Sequence, residues 1–269
     1  MDTAIFEGIK FRWLNDACYE IELPTGAHIL IDPYIDHSEN STLTVQAIKR
    51  ADYVLISHTH FDHVLELGDI FERFAPKIYV GAQSALELAR YYRLPADKVT
   101  PCWPGGAFDT PDFTLEVFQG KHVPLGDWNN PSGWKGFGEE NQLPPEIEAL
   151  NVCGSFEYCN YRITTPNNQR LLVWGGEADY HACRQMAGVG SDLAIVQFGR
   201  NPEQAITDFC AAIHPQLIVP HHHELIQGTG YIERVEGLLA KQAPFTTFLD
   251  IQKGVWYRFG SMAALAGEG

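Results

Sequence analysis

The sequence predicts an α/β fold, because short apolar runs of strand length alternate with segments of helical periodicity along its 269 residues. Residues 53–56 form a continuous apolar run, typical of a strand buried on both faces, and residues 65–74 then show helical spacing. Residues 77–80 and 82–92 repeat this order of strand and helix. The same alternation returns in the second half of the chain, so we expect layered sheets and helices.

The other predicted strands share short length, apolar or alternating residues and flanking turn residues. They are residues 9–14, 18–23, 28–32, 113–118, 155–164, 170–174, 193–198, 217–219 and 254–259. Helical spacing predicts further helices at residues 42–50, 202–213 and 231–242. Residues 125–150 form too long a segment for a routine connection and include several Gly and Pro residues, which predicts a lid or binding loop. The length and the strand-rich pattern of the chain predict a single domain over residues 1–269.

The amino-acid composition indicates which classes of protein and partner are compatible with the sequence. The chain is 45% apolar and 20% charged, as expected for a globular protein with a sizeable core, and its six cysteines lack a C-x-x-C pair, which favours reduced thiols. The first residues lack a basic segment followed by an apolar one, and no apolar run approaches the ~20 residues of a membrane span. We therefore expect a cytoplasmic protein without a membrane partner. The formal charge of −15 disfavours a nucleic acid partner.

The run His58-Thr-His60-Phe-Asp62-His63 carries the chemistry. It directly follows the buried strand at residues 53–56, where the chain is still extended and side chains two residues apart point the same way. His58 and His60 are therefore expected to bind one cation. Asp62 and His63 follow a turn towards a helix and can serve a second cation nearby. Three imidazoles and a carboxylate within six residues predict a dinuclear metal site.

This run resembles the H-x-H-x-D-H signature of the metallo-β-lactamase superfamily. The resemblance extends over roughly residues 9–259 and implies an αββα four-layer sandwich with the metal site at one edge. Within the superfamily, the opening that ends in Ile31-Asp32-Pro33 is similar to cytoplasmic hydrolases such as the L-ascorbate-6-phosphate lactonases. By this resemblance His58, His60 and His122 hold the first metal, and Asp62 and His63 the second.

Two further motifs of the family have counterparts here. The usual Gly-Asp-Thr is replaced by Gly176-Glu177-Ala178, so the resemblance makes Glu177 the bridging carboxylate, with Asp179 as the alternative if the turn is shifted. The last motif is Pro220-His221-His222-His223-Glu224, in which His222 matches the final ligand of the second metal. Strand alternation would turn His221 and His223 away from His222, as contacts around the site or as packed residues.

Imidazole and carboxylate ligands favour two Zn²⁺ ions, although Mn²⁺, Fe²⁺ or Ni²⁺ would also suit them. The expected activity is metal-dependent hydrolysis of a small lactone, ester or phosphoester by a metal-bridged hydroxide, with Asp62 as the catalytic residue that orients it or takes its proton. Two divalent cations exceed the charge of two carboxylates and a hydroxide, which favours an anionic substrate. The alternatives are a non-catalytic metal-binding or sensing protein of the same fold and, less favoured, a nuclease.

Several other residues are candidates for substrate contacts. Lys121, Arg162 and Arg200 lie near the motif strands and could bind a carboxylate or phosphate, although surface charges are the commoner outcome. Trp128, Trp134 and Phe137 of the predicted lid could form an apolar wall or pack at a subunit contact. The expected partner is a small-molecule substrate, and a homo-oligomer is compatible with the sequence.

Overall fold

The computed structural model describes residues 8–38, 41–123 and 145–259, which form two seven-stranded sheets flanked by helices. The first sheet has the strand order β14-β1-β2-β3-β4-β5-β6 and the second β13-β12-β11-β10-β9-β8-β7. The strands of the first sheet are β1 Lys10–Asn15, β2 Cys18–Glu22, β3 His28–Ile31, β4 Tyr53–Leu55, β5 Lys77–Gly81, β6 Val99–Cys102 and β14 Tyr257–Arg258. Those of the second are β7 Ala107–Asp109, β8 Thr114–Gln119, β9 Cys159–Thr164, β10 Arg170–Trp174, β11 Leu193–Gln197, β12 Leu217–His221 and β13 Thr247–Phe248.

Within the described ranges, six α-helices cover the outer faces of the two sheets. They are α1 Leu67–Phe74, α2 Ala85–Tyr91, α3 Pro145–Phe156, α4 Tyr180–Met186, α5 Glu203–Ile213 and α6 Tyr231–Gln242. None of the helices in the described ranges has both the length and the apolar character needed to cross a bilayer.

Three hydrophobic clusters show how the layers stack. Side chains of both sheets, including Phe11, Tyr19, Tyr161, Val173 and Ile195, form the cluster between them. A second cluster joins the outer face of the first sheet to α1, α2 and α3, and a third joins the outer face of the second sheet to α4, α5 and α6. The predicted αββα sandwich is therefore confirmed. The predicted short strands alternate with helices because each sheet must bury its outer face under helices.

Parallel pairing brings the site-bearing turns to one edge of the sandwich. Strands β3, β4 and β5 are mutually parallel, as are β10, β11 and β12, and β8 runs in the direction of β10 because both pair antiparallel with β9. The segments that follow β3, β4, β8, β10 and β12 carry Asp32, His58–His63, His122, Glu177 and His222. Carboxyl ends of parallel strands meet at the same edge of a sheet, so these residues approach one another.

Hydrogen bonds between the sheets hold this edge together. The Tyr161 hydroxyl of β9 donates to the carbonyl of Ile56 at 2.7 Å, and the Cys159 amide donates to the carbonyl of Ser57 at 2.8 Å. The amide of His222 donates to the carbonyl of Asp16 at 3.1 Å. The turns that carry the candidate ligands are thus fixed across the sandwich.

The helix predicted at residues 42–50 was wrong, because only a 3-10 turn, Val45–Ala47, forms there. Three carbonyls of this segment accept hydrogen bonds from distant arginines. Arg73 donates to the carbonyls of Val45 at 2.6 Å and Ile48 at 2.8 Å, and Arg12 donates to that of Ala47 at 2.9 Å. Tertiary hydrogen bonds therefore override a weak helical pattern.

Other differences concern boundaries and short elements. The strand predicted at residues 155–164 begins only at Cys159, since residues 155–156 end α3, and the strand predicted at 254–259 shrinks to Tyr257–Arg258. Strands β6, β7 and β13 and helix α4 had no prediction. β6 contains Pro101 and lies at the edge of its sheet, the place where proline is tolerated in a strand.

The lid predicted at residues 125–150 falls mostly on residues that lie outside the described ranges, with Trp128, Trp134 and Phe137 among them. Its last six residues are helical and begin α3. The six cysteines all lie in the described ranges and are free thiols, four of them buried.

Candidate metal centre

The first ligand group consists of His58, His60 and His122, whose ligand nitrogens all lie within 4.8 Å of one another. His58 and His60 follow β4, where the chain remains extended up to a 3-10 turn at Phe61–His63. Nε2 of His58 lies 3.0 Å from Nδ1 of His60. Two nitrogens bound to one tetrahedral zinc are separated by ~3.3 Å, given Zn–N bonds of about 2.0–2.1 Å, so this spacing fits a shared cation.

In His58 and His122, the hydrogen-bond partner of Nδ1 shows which ring nitrogen carries the proton. Nδ1 of His122 lies 2.7 Å from the carbonyl of Val123, which can only accept, so this nitrogen carries the proton and Nε2 has the lone pair. Nδ1 of His58 lies 3.1 Å from the Ser57 hydroxyl, and that hydroxyl donates its own proton to Asp32 in a hydrogen bond of 2.6 Å. Nδ1 of His58 must therefore donate, and its Nε2 lone pair is directed at His60.

The second ligand group consists of Asp62, His63 and His222, again with ligand atoms within 4.8 Å of one another. Nδ1 of His63 donates to Asp32 at 2.8 Å, and Nδ1 of His222 donates to Glu224 at 3.1 Å. Each of these hydrogen bonds keeps a proton on Nδ1, so Nε2 is the nitrogen available to a cation, which at His222, whose pKa is raised, would displace a proton from Nε2. A carboxylate acceptor also increases the basicity of a ligand histidine.

Burial keeps the imidazoles of the first group neutral, as metal ligands must be. It lowers the pKa of His60 to about 3 and that of His122 to about 4, and it lowers the pKa of His58 well below its ordinary value. Neutral rings whose lone pairs face each other repel unless a cation lies between them. The donor set therefore fits a metal ion, and its nitrogen and oxygen atoms match the preferences of Zn²⁺.

Carboxylates dominate the electrostatics around His222. Burial alone would lower the pKa of His222, but its hydrogen bond to Glu224 raises that pKa to about 8. Burial alone would raise the pKa of Asp62, but the neighbouring His63 and His222 lower it, so Asp62 is ionised. Asp16, His222 and Glu224 form a third set of ligand atoms within 4.8 Å of one another. The negative charge here attracts a cation to the second group.

The structure does not bring Glu177, the predicted bridging carboxylate, into any of these groups. Glu177 instead forms an ion pair with Lys121, and its amide donates to the carbonyl of Lys121 at 2.7 Å. Asp179, the alternative, caps α4 by accepting from the amide of Ala182 at 2.9 Å. The side chain of Glu177 is long enough to reach Lys121. The carboxylate of Asp179 accepts a hydrogen bond at the start of α4.

Replacing Glu177 with glutamine is therefore expected to leave the metal content at the wild-type value. The Lys121 partner is 61% exposed, so we expect the free energy of unfolding to change by less than about 1 kcal/mol. Elemental analysis of dialysed protein and chemical unfolding measure the two quantities. Loss of one metal equivalent in this variant would instead assign Glu177 to the bridging position.

The three consecutive histidines after Pro220 have different surroundings. His221 ends β12 and is buried, with Nδ1 3.2 Å from Oε1 of Gln197 and Nε2 3.8 Å from Oδ2 of Asp32. His222 has a left-handed backbone conformation with φ of 51°, so the strand alternation used to orient it does not apply. His223 packs against Trp13, with ring centroids 5.1 Å apart. Neither His221 nor His223 belongs to the ligand groups found among the described residues.

The candidate anion-binding residues have separate positions. Lys121 is engaged by Glu177, as described above. Arg162 donates to Glu116 of β8 at 2.7 Å and to the carbonyl of Val189 in the loop after α4, so its guanidinium is engaged within the protein. Arg200 follows β11, is exposed and has a left-handed backbone with φ of 68°.

Sequence reasoning missed the acceptors that orient the ligands. Asp32 is fully buried and accepts from the amide of Ser57 at 2.7 Å, from its hydroxyl and from His63. A polar residue between an apolar strand and Pro33 was the signal that could have found it. Glu224 could have been found by its spacing of two residues from His222. Ser155, which contacts His60, has no such signal, because 95 residues separate the two.

Comparison with known proteins agrees with this geometry. The family model of the metallo-beta-lactamase superfamily matches residues 12–129. A UPF0173 metal-dependent hydrolase of Koribacter versatilis is 36% identical over 72 residues, which are 27% of this chain and 31% of that protein. Another, from Polynucleobacter asymbioticus, is 23% identical over 232 residues, or 80% of this chain and 74% of that protein. The first match thus spans about a third of the relative's length and the second about three quarters.

Solved structures share the fold at low identity. The metallo hydrolase Igni18 from the archaeon Ignicoccus hospitalis superposes with a TM-score of 0.66 at 14% identity, covering 93% of this chain and 99% of that one. The isothiocyanate hydrolase from Delia radicum gut bacteria gives a TM-score of 0.64 at 14% identity with the same coverage. The chain therefore has the metallo-beta-lactamase fold, its segment that bears the ligand run matches the family model of that superfamily, and UPF0173 metal-dependent hydrolases are among its homologues.

Proposed function

We propose that the protein is a dinuclear zinc hydrolase that cleaves a small anionic lactone, ester or phosphoester. The observation that carries the proposal is the presence of two adjacent ligand groups whose imidazole lone pairs are directed at cation positions. The groups are close, since the rings of His58 and His63 have centroids 4.0 Å apart. Dinuclear hydrolases hold their metals about 3.5–4 Å apart, which suits two groups at this separation.

A pair of divalent cations, when bound, would lower the pKa of water to about 7 and polarise the bond to be cleaved. His58, His60 and His122 would hold one cation, and Asp62, His63 and His222 the other. Within this arrangement the Asp62 carboxylate is 30% exposed and ionised, so it can accept a proton from water at one carboxylate oxygen. Asp62 therefore both holds the second cation and supplies the base.

The charge of the site supports an anionic substrate. Asp62 is the one carboxylate among the six residues of the first and second ligand groups. Glu177 adds no charge to them, because it is paired with Lys121. Two divalent cations carry four positive charges, more than the three negative charges of the ionised Asp32, Asp62 and Glu224, and would leave a net positive charge at this end of a protein that is otherwise strongly acidic. A carboxylate or phosphate on the substrate would be attracted to this charge. The similarity to lactonases in the opening strand pair places a lactone among the substrates to test.

The test is hydrolysis by zinc-loaded protein of a panel containing an aliphatic lactone, an aryl ester, a phosphomonoester and a phosphodiester. We expect at least one class to be cleaved, the rate to fall to background after chelation and to return with added zinc. The double variant His60→Ala with His63→Ala should be inactive, because it removes a ligand from each group. Equal activity of this variant and the parent would refute the proposal.

A non-catalytic metal-binding or sensing protein is the second candidate. It is favoured by the engagement of Glu177 with Lys121, which leaves the bridging position of the family without its carboxylate. Metal-loaded protein that binds two zinc ions and cleaves no member of the panel would support it. A nuclease is disfavoured by the net charge of −15, and a gel shift with tRNA or single-stranded DNA would reveal one.

A further inference from the structure

Helix α3 holds the ligand-bearing turn from outside the two groups. The Thr59 hydroxyl donates to the carbonyl of Leu150 at 2.7 Å, and the amide of Phe61 donates to Oδ1 of Asn151 at 2.8 Å. These hydrogen bonds fix the backbone on both sides of His60. The ligand turn is thus positioned by a helix that begins 82 residues after His63, counted from Pro145.

These hydrogen bonds require the backbone of α3 to lie very close to the backbone of the ligand turn. A β-carbon at Gly154 would lie 2.7 Å from the amide nitrogen of His60 and 2.8 Å from the carbonyl carbon of Thr59. Atoms at these separations overlap, and the neighbours are backbone that cannot rotate away. Only glycine lets α3 lie directly on the ligand turn.

The next residue of the helix, Ser155, contacts the ligand itself. Its Oγ lies 2.9 Å from Nε2 of His60 and also 2.9 Å from the carbonyl of Asn151. A carbonyl only accepts, so the single hydroxyl proton of Ser155 is donated to Asn151. Oγ must therefore accept from Nε2 of His60, which places the ring proton on Nε2 and the lone pair on Nδ1.

This proton assignment matters because His60 is the ligand that uses Nδ1. Its Nδ1 faces Nε2 of His58 at 3.0 Å, whereas His63, His122 and His222 keep their protons on Nδ1. An isolated neutral imidazole places the proton on either nitrogen, so His60 needs a specific acceptor at Nε2. Among the described residues Ser155 is the hydrogen-bond partner of that nitrogen.

We propose that Ser155 is a positioning residue for the first cation, which holds His60 in the tautomer whose Nδ1 lone pair points at the site, and that Gly154 brings the helix close enough for this contact. The proposal rests on the metal-binding part of the proposed function. It concerns the first group alone, since the acceptors for His63 and His222 are Asp32 and Glu224.

The experiment compares Ser155→Ala, Ser155→Thr and Val152→Ala in the full chain. Alanine removes the acceptor and favours the helix, so the variant should fold, whereas threonine retains the hydroxyl. Val152 is 44% exposed on the same helix and serves as the matched control. Long-range ¹⁵N–¹H NMR spectra of histidine-labelled protein report which nitrogen of each ring carries the proton, with and without zinc.

We expect Ser155→Ala to shift the His60 proton from Nε2 towards Nδ1 in metal-free protein and to weaken the first zinc by about 10- to 100-fold. The His63 and His222 signals and the affinity of the second zinc should remain unchanged. Ser155→Thr should restore the His60 proton to Nε2 and most of the affinity, and Val152→Ala should match the parent. Gly154→Ala should weaken the same zinc although Ser155 is intact.

An unchanged His60 tautomer and unchanged first-zinc affinity in Ser155→Ala would overturn the inference. Equal loss at both zinc sites would also overturn it, because the effect would then be a general disturbance. A parent protein that binds no zinc would instead refute the proposed function. The two failures are therefore distinguishable.

Discussion

Asparagine at position 32 is expected to remove both cations and to lower the free energy of unfolding by about 3–5 kcal/mol, the usual cost of breaking a buried charged pair. Asp32 is fully buried at the end of β3. Its two oxygens accept from the Ser57 amide at 2.7 Å, the Ser57 hydroxyl at 2.6 Å and Nδ1 of His63 at 2.8 Å. The nearby imidazoles of His63 and His221 lower its pKa despite burial, so the buried group is a carboxylate.

An asparagine in this place keeps one acceptor and turns an amide N–H₂ towards donors. If its oxygen accepts from the Ser57 amide, its nitrogen faces Nδ1–H of His63 and the Ser57 hydroxyl. The His63 proton is then driven to Nε2, the nitrogen that the second cation needs. The Ser57 hydroxyl no longer has a fixed acceptor, so it no longer holds the Nδ1 proton of His58. One side chain therefore controls a ligand of each group.

Metal content after dialysis and unfolding in urea measure the two effects of Asp32→Asn. Asp109→Asn is the matched control, since Asp109 is exposed on β7 and accepts from Thr114 in its own hairpin. A variant with both metals and parental stability would show that Asp32 does not orient the ligands.

Alanine at position 62 is expected to reduce kcat by about 10³-fold, within the range typical for loss of a catalytic acid or base. Asp62 lies in the 3-10 turn that ends the ligand run, with a carboxylate oxygen 3.8 Å from Nε2 of His63. The same substitution removes a ligand of the second group and leaves the first group complete. Metal content should therefore fall from two equivalents to one.

The two roles of Asp62 separate in the variant Asp62→Asn. Asparagine retains an oxygen near the cation position but cannot accept a proton at neutral pH, so we expect more metal than in Asp62→Ala and equally slow turnover. Elemental analysis and kcat, measured on the substrate class found with the panel, test this. Parental kcat in both variants would exclude Asp62 as the base.

Much of the architecture follows from local patterns. The predicted helix at residues 231–242 matches α6 residue for residue, and the buried run at residues 53–56 matches β4 to within one residue. Such segments are defined by their own periodicity and by burial on both faces. Residues 42–50 differ because arginines from β1 and α1 bind their carbonyls, and no pattern within nine residues can indicate such partners.

The candidate metal site also combines features set by local sequence with features set by distant residues. The residue types of the ligand run and its position after a buried strand are local properties, so the sequence by itself determined a layered α/β fold and a group of candidate metal ligands at one edge of it. The role predicted for Glu177 depended on a neighbour that only the tertiary structure supplies, since Lys121 lies 56 residues earlier. The orientation of His222 likewise came from a left-handed residue after β12 and not from strand alternation.

The tertiary structure alone decided which nitrogen of each ligand carries its proton. That choice depends on single acceptor atoms within about 3 Å, supplied by Asp32 for His63 and by Ser155 for His60 from distant parts of the chain. A sequence pattern specifies which side chains share a face or a turn. Hydrogen-bond geometry between separate elements exists only after the sheets and helices have packed.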